Sequence, residues 1–402
     1  MRRIKIGLFI DTFFPMVDGV VMVVDNYARH LSRYADVTVF APHTGRFDYG
    51  TLPYKLILCK SVPVPQNDYS LPFATADSEF RRKLNNTQLD IAHIHSPAFI
   101  GKAGMRYAKR RGIPAVITLH SQFKMNFKKA LKSEKLAGIM LRDTVSLYDR
   151  ADEIWAVNRK MAELYTDEYG GKLKPIVVGN ATDLEPCPNP AGSREKINKL
   201  YGLRDDEKVL LYVGRIDLIK NILLILKALV ILKQSGETAF KMLFVGSGKD
   251  EETLKNEISV NGLNNEVLLC GRIMQRNLLA EIYSRADLLL FPSIYDASSL
   301  VQIEAASQKT PGVFIRGSVT SDTVTDNVNG FCCEDSGKDL AAKIIDIFND
   351  QALYNTVSEG SYRDLYVSWD KVAEAAYGRY VKLVESYAVM RKAQHARKNA
   401  ES

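Results

Sequence analysis

The chain is short of the residues that would tie it together covalently or through metal. It has five cysteines in 402 residues, an odd number with no CxxC pair: Cys59, Cys187, Cys270, Cys332 and Cys333. That pattern argues against a disulfide framework and against a zinc site, and it predicts a reducing cytosol. Cys270 and Cys332 lie in apolar runs and read as core thiols. Six histidines are present, and no His/Cys/Asp cluster has metal-ligand spacing, so neither a metal nor a cofactor is expected. No apolar run approaches the roughly 18–20 residues that a membrane span needs. The opening MRRIKIGLFIDTFF superficially resembles a secretion signal, but Asp11 interrupts its apolar stretch and no small-residue cleavage site follows closely. Ile4–Ile10 reads better as a buried first strand.

What is present is a well-cored globular composition, 46% hydrophobic and 25% charged, with a net charge of +7. The mild basic bias suits anionic substrates or an anionic surface and specifies neither. The length fits two domains of about 150–200 residues each. Short β-branched runs alternate with helical stretches, the pattern of α/β folds with parallel sheets. Expected strands in the first half are Lys5–Ile10, Val37–Ala41, Ile91–His95, Ala115–Leu119, Ile154–Val157 and Ile176–Val178. The second half begins again with Val209–Val213, Met242–Val245, Val267–Leu269, Leu288–Phe291 and Gly312–Ile315. Helical spacing runs over Val23–Tyr34, Leu223–Leu232 and Asp250–Val260. The Pro-rich Glu185–Gly192 is expected to be the interdomain linker. Two doubly wound halves follow, residues 1–185 and 186–372, and ligands of such sheets sit at the carboxyl ends of the strands.

Residues just after strands therefore carry the functional reading. Gly214-Arg215 and Lys220 follow Val209–Val213. Arg215 can fork onto two phosphate oxygens, Lys220 adds a mobile charge, and a helix beginning near Asn221 offers amides to the same anion. A solvated pair at a helix start would look the same. Asp296-Ala-Ser-Ser-Leu-Val-Gln-Ile-Glu304 follows Leu288–Phe291. Its eight-position interval predicts that Asp296 ends a loop and Glu304 lies on a helix capped by Ser298 or Ser299. That helix N-terminus would suit a phosphate, and Glu304 could accept from a ribose diol; a capping acid and a surface Glu are the plainer alternative. His120 ends the strand Ala115–Leu119 and could donate to a sugar hydroxyl. His93 or His95 reads as packing, and His30 and His43 have no supporting context. Asp18-Gly19 follows the first strand, where a glycine lets backbone approach a ligand. Gly246-Ser247-Gly248 has a similar place, but it is a GxG without the rest of the dinucleotide fingerprint, so a nicotinamide oxidoreductase is poorly supported.

Between Arg106 and Arg142 there are ten Lys or Arg and one acid, Glu134. Lys124, Lys128, Lys132 and Lys135 are expected on one helical face beside an apolar stripe of Phe123, Phe127 and Leu131. Such a helix either lies on an anionic membrane or packs its stripe on the core. Nucleic acid fits less well, because no aromatic-interleaved basic motif is present.

Together these motifs resemble retaining glycosyltransferase family 4, whose fold is GT-B, two Rossmann-like domains facing across a cleft. FIDTFFPMVDGV resembles that family's glycine loop, HIHSPAFIG and ITLHSQF its histidine motifs, VGRIDLIKN its Arg-x4-Lys phosphate motif, and SRADLLLFPSIYDASSLVQIEAA its acidic E-x7-E motif. The resemblance implies a metal-independent hexosyl transfer from a UDP- or GDP-sugar to a lipid, lipid-linked glycan or other glycan, with retained anomeric configuration. It implies that Gly19 approaches the donor phosphate and that His120 contacts the transferred sugar. Arg215 and Lys220 would hold the diphosphate, and Asp296 the sugar hydroxyls. The Ser299 and Leu300 amides, with Ser298 beside them, would take the phosphate, and Glu304 the ribose. The cytoplasmic enzyme would touch an anionic membrane through Lys124, Lys128 and Lys132. The last helix, about 373–402 and introduced by Trp369, would cross back to the first domain. Three positions depart from the family: Asp296 replaces a Glu, Ser299 a Gly, and Ala181 the Gly of Asn-Gly-x-Asp at Asn180–Asp183. These departures leave a non-catalytic nucleotide-sugar-binding protein as the alternative.

Overall fold

The computed structural model describes residues 2–16, 18–44, 47–64, 70–236 and 239–400. The chain forms two compact units, Met1–Asn180 with Trp369–Ser402, and Ala181–Ser368. Each is built on its own sheet. Unit 1 contains β1 (Lys5–Phe9), β2 (Asp36–His43), β3 (Lys55–Pro63), β4 (Ser70–Pro72), β5 (Ile91–Ile94), β6 (Ala115–Leu119), β7 (Glu153–Ala156) and β8 (Ile176–Val177). Unit 2 contains β9 (Lys208–Val213), β10 (Phe240–Val245), β11 (Val267–Gly271), β12 (Leu288–Phe291), β13 (Gly312–Ile315) and β14 (Phe331–Cys333).

The first sheet runs β4-β3-β2-β1-β5-β6-β7-β8, parallel except for the antiparallel edge strand β4. The second runs β11-β10-β9-β12-β13-β14 and is parallel throughout. In both, the chain steps outward through successive strands and then returns to the far side of the first. The strand order therefore reverses between β1 and β5 and between β9 and β12. Reversal opens a crevice at the carboxyl ends of those strands, where ligands of doubly wound sheets bind.

The central strands are apolar on consecutive residues because helices cover both faces. Strands β5, β6 and β12 are buried at every position. The helix Ile222–Ser235 (ILLILKALVILKQS) buries seven residues against unit 2's sheet and stops at Gly236, which takes a left-handed φ of 68°.

Three strands escaped the sequence reading. β3, next to the edge strand β4, is only partly buried, and β4 and β14 are three residues each, too short to show a period. The Pro-rich Glu185–Gly192 is not where the units part. The division falls a few residues earlier, at Asn180/Ala181, and the return at Ser368/Trp369. Pro190 is instead the first residue of a helix, Pro190–Tyr201, whose N-cap Asn189 accepts from the Gly192 amide at 3.1 Å. Proline there costs no helical hydrogen bond, so its abundance marks a helix start within unit 2.

The final helix, Trp369–Ala400, belongs to unit 1. Trp369 is buried and packs edge-on against Tyr27, with ring centroids 5.1 Å apart. Asp370 meets His30 at 2.6 Å, and Arg379 bonds Glu153 at 3.0 Å.

Candidate active site

Unit 2 assembles its polar residues where β9 and β12 end. After β9 the chain passes Gly214, whose φ of 155° is left to glycine, and then Arg215, an exposed side chain whose carbonyl accepts from Tyr212 at 3.0 Å. Asp217 caps the short turn Leu218–Lys220 by accepting from the Ile219 amide at 3.1 Å. Asn221, left-handed at φ 60°, then opens the Ile222–Ser235 helix. Its amide donates to Asp335 at 2.7 Å. The turn thus presents Lys220 to the loop after β12, where its ammonium forms an ion pair with Asp296. Both side chains are 17% exposed, so this pair is shielded from solvent far more than a surface bridge.

Beyond Asp296, Ser299 is the N-cap of the helix Leu300–Ser307, accepting from the Gln302 amide at 3.1 Å. Ser298 lies half-buried in the loop before it, and Leu300 is the first helical residue. Glu304 is one turn in and buried at 8% exposure. One carboxylate oxygen accepts from Arg276 at 2.8 Å and the other from the Tyr283 hydroxyl at 2.9 Å. Arg276 also forks onto Asp183, with a bond of 3.0 Å from its Nε. The neighbouring carboxylates hold the Arg276 guanidinium charge against the desolvation that burial imposes. A carboxylate oxygen has room for a second donor, so Glu304 retains capacity for a ligand hydroxyl while its orientation is fixed.

Gly246 and Gly248 are explained by backbone meeting backbone. A Cβ on Gly246 would lie 1.9 Å from the Gly214 carbonyl oxygen, and one on Gly248 2.1 Å from that of Ile216. The loops after β9 and β10 run against each other there, with Ile216 N–H donating to Ser247 at 3.1 Å. The ligand-approach reading of Gly246–Gly248 is replaced by this loop contact. Gly19 is likewise not in a loop. It is the first residue of the helix Gly19–Leu31, and Asp18 caps that helix by accepting from the Val21 amide at 2.9 Å.

Unit 1's polar residues cluster at the ends of β1, β5 and β6. Asp11 follows β1 and is buried, accepting from the Ala98 and Ile100 amides at 3.0 and 2.6 Å, at the start of the helix Phe99–Arg111. Burial raises its carboxyl to about 6, against the pull of those amides. His93, within β5, is fully buried and doubly bonded, to Tyr380 on the final helix and to Thr118 on β6, both at 2.6 Å. His95 follows β5 and lies 2.9 Å through Nδ1 from Nε2 of His120, which follows β6. Desolvation keeps all three imidazoles neutral: His93 and His95 well below the usual range, and His120 down to about 3.

His120, Arg215, Lys220, Asp296, Ser299 and Glu304 thus all stand at the strand ends named from the sequence. What the sequence reading missed is Arg276, Tyr283 and the place of His95. Among the described residues no group of three or more His, Cys, Asp or Glu side chains could hold a metal ion. No helix among them is long and apolar enough to cross a membrane.

The basic segment departs from its expected form. It is two helices, Phe123–Leu131 and Glu134–Tyr148, broken at Lys132, which takes a φ of 49°. Lys124, Lys128, Lys132 and Lys135 therefore do not share one helical face. Lys128 pairs with Glu134 at 2.6 Å and Lys124 with Glu168 at 3.4 Å. The stripe of Phe123, Phe127 and Leu131 turns toward the protein: Phe123 is buried, stacked on Phe127 and edge-on to Tyr148. The apolar side chains left in solvent are Met125, Leu136, Ile139 and Met140.

Two family profiles divide the chain almost as the two units do. Residues 17–186 match Glycosyltransferase Family 4, and residues 193–364 match Glycosyl transferases group 1. The chain belongs to glycosyltransferase family 4. Its fold is GT-B. The enzyme is 25% identical to the alpha-monoglucosyldiacylglycerol synthase of Streptococcus pneumoniae over 81% of this chain and 74% of that one. It is 24% identical to the synthase of the same name from Acholeplasma laidlawii, over 89% and 91%. Among solved structures, Anabaena HepE in complex with UDP and glucose superposes with a TM-score of 0.74 at 16% identity, over 94% of this glycosyltransferase and all of that chain.

Proposed function

We propose that this glycosyltransferase transfers a hexose from a nucleoside-diphosphate sugar, UDP- or GDP-linked, to a membrane lipid or lipid-linked glycan, with retained configuration and without a metal or other cofactor. The observation that carries the proposal is that Arg215 and Lys220 follow β9 while the capped N-terminus of Leu300–Ser307 follows β12, the neighbouring strand at the sheet reversal, with Lys220 paired to Asp296 in the loop before that helix and Glu304 one turn into it. Those groups would neutralise a leaving diphosphate without a metal ion, each contributing a few kcal/mol in the transition state. Glu304 would take the ribose hydroxyls. Asp296 and His120 would bind the sugar, and the Ser298–Leu300 segment the phosphate.

No side chain is placed as a dedicated nucleophile in this reading. The acceptor oxygen bonds to the anomeric carbon on the face from which the diphosphate departs. The bond from that carbon to the diphosphate breaks, and the acceptor proton passes to a phosphate oxygen of the leaving group. A lipid acceptor is supported by the two relatives whose names denote glucosyl-diacylglycerol synthesis. A UDP donor is supported by the neighbour that holds UDP and glucose. A cytoplasmic enzyme at the membrane's inner face follows from a lipid acceptor and a reducing compartment. The exposed Met125, Leu136, Ile139 and Met140 with Lys124, Lys128 and Lys132 would form the membrane contact.

The deciding experiment is a donor-hydrolysis and thermal-shift panel over UDP-, GDP-, ADP- and dTDP-sugars, repeated with Arg215→Ala and Glu304→Ala. One donor should stabilise and turn over, and each variant should lose about a hundredfold in kcat/KM. Near-normal turnover by both variants would sink the site assignment. The membrane contact predicts flotation with vesicles containing anionic lipid, lost when Lys124, Lys128 and Lys132 are changed to Glu. Unmodified protein that stays with the soluble fraction would refute it.

A further inference from the structure

His95 has an unusual combination of contacts. It is 2% exposed, its Nδ1 is 2.9 Å from His120 Nε2, and its own Nε2 is buried with no hydrogen-bond partner among the described residues. The two rings are tilted by only 24°, with centroids 5.2 Å apart. His93 lies against His95 with a centroid distance of 3.9 Å and the rings tilted by 40°, and it is itself held by Tyr380 and Thr118. The pair is thus held against a buried, hydrogen-bonded neighbour.

A bond between two imidazole nitrogens holds one proton. With both rings neutral, two arrangements exist. In the first, His120 donates from Nε2, His95 Nδ1 accepts, and the proton of His95 sits on its buried Nε2, an N–H with nothing to receive it. In the second, His95 donates from Nδ1 and its buried Nε2 is a bare lone pair. Orphaned buried N–H groups are the rarer defect in folded proteins, and under-satisfied acceptors are better tolerated. The second arrangement is therefore the stable one.

We infer that His95 is a positioning residue whose Nδ1–H locks His120 in the tautomer that carries its proton on Nδ1. His120 then offers a ligand a hydrogen-bond donor and no free base. Its Nε2 lone pair is taken by His95, and its Nδ1 is protonated. The group it meets must be an oxygen acceptor, such as a sugar oxygen, and His120 does not remove the acceptor's proton. This rests on the proposed role of His120 toward the donor sugar, and it excludes a general-base role for that residue. The depressed basicity of both rings agrees with a neutral pair.

The tautomer is read without substrate, from long-range proton–nitrogen correlations on full-length enzyme labelled with nitrogen-15 histidine, with His120→Gln used to assign the resonance. The expected result is a neutral His120 with its proton on Nδ1. His95→Phe, similar in shape and lacking the donor, should release that single tautomer and lower kcat about a hundredfold, with KM changed by less than about threefold. His95→Asn, whose amide N–H can reach toward the same nitrogen, should recover about tenfold of that loss. A wild-type His120 protonated on Nε2, or a tautomer unchanged by His95→Phe, overturns the inference. If the tautomer behaves as expected while His120→Gln turns over normally, the lock stands and the sugar-binding reading of His120 falls. Should His95→Phe fail to fold, the wild-type spectrum alone decides the tautomer.

Discussion

The two units place polar side chains at the same kind of sheet reversal and leave them in opposite electrostatic states. In unit 1 three imidazoles in and just past β5 and β6 are kept neutral by burial, His95 bonded to His120 and His93 to Tyr380 and Thr118 by uncharged hydrogen bonds. In unit 2 the corresponding ends carry full charges in pairs: Lys220 with Asp296, and Arg276 with Asp183 and Glu304. Burial without a counter-charge removes charge, whereas burial with one preserves it.

That contrast can be broken most severely with acid. The three histidines have folded-state basicity below that of the unfolded chain, near 6.5. As pH falls through that value the unfolded state binds protons that the folded state refuses, and stability falls with it. Asp11, raised to about 6, acts in the opposite sense, because its folded form takes a proton before the unfolded one does. Three histidines oppose one Asp11, so the net is a loss of stability as pH falls from about 6 to about 4. Both tryptophans of the chain, Trp155 and Trp369, lie in unit 1. Urea unfolding followed by Trp fluorescence at successive pH values therefore reports on that unit. A midpoint independent of pH in this window would contradict the neutral cluster.

Removing a charge partner is the next largest effect. Arg276→Ala should leave Glu304 buried without its cation and destabilise unit 2 by about 3 kcal/mol, the low end for a broken buried pair. Calorimetry should show this as a lowered transition while the Trp signal keeps its midpoint. Ser299→Gly sharpens the comparison at the smallest scale. It installs the residue usual in the family at a helix cap, and capping by glycine costs only a few tenths of a kcal/mol. A melting change beyond about 2 °C would mean that the Ser299 hydroxyl does more than cap.

Most of this organisation was legible from the sequence where a pattern is local. The central strands announce themselves as uninterrupted apolar runs, and Ser298-Ser299 announces a cap before a helical stretch, the structure choosing Ser299. Lys220 and Asp296 each follow a strand, although nothing local says that they touch. Arg276 was invisible for the same reason in stronger form: its partners are 93 and 28 positions away, and its own surroundings hold no cap or periodic signal that would single it out. His95 was legible as a packed residue in a His-x-His run. Its bond to His120 depends on β5 and β6 being neighbours in register. The basic segment misled because a single helical period was drawn through Lys132, where the backbone turns left-handed and a second helix begins.

The final helix imposes an order on synthesis. Unit 2 is one uninterrupted stretch, whereas unit 1 is closed by residues that leave the ribosome after unit 2. Until they arrive, Tyr27 lacks Trp369 and His93 lacks the Tyr380 hydroxyl. Domains usually mature from the amino end as translation proceeds. Here the amino-terminal half must wait, so unit 2 can be complete while unit 1 is still open, and a nascent chain halted before Trp369 would leave Tyr27 and His93 without their aromatic partners.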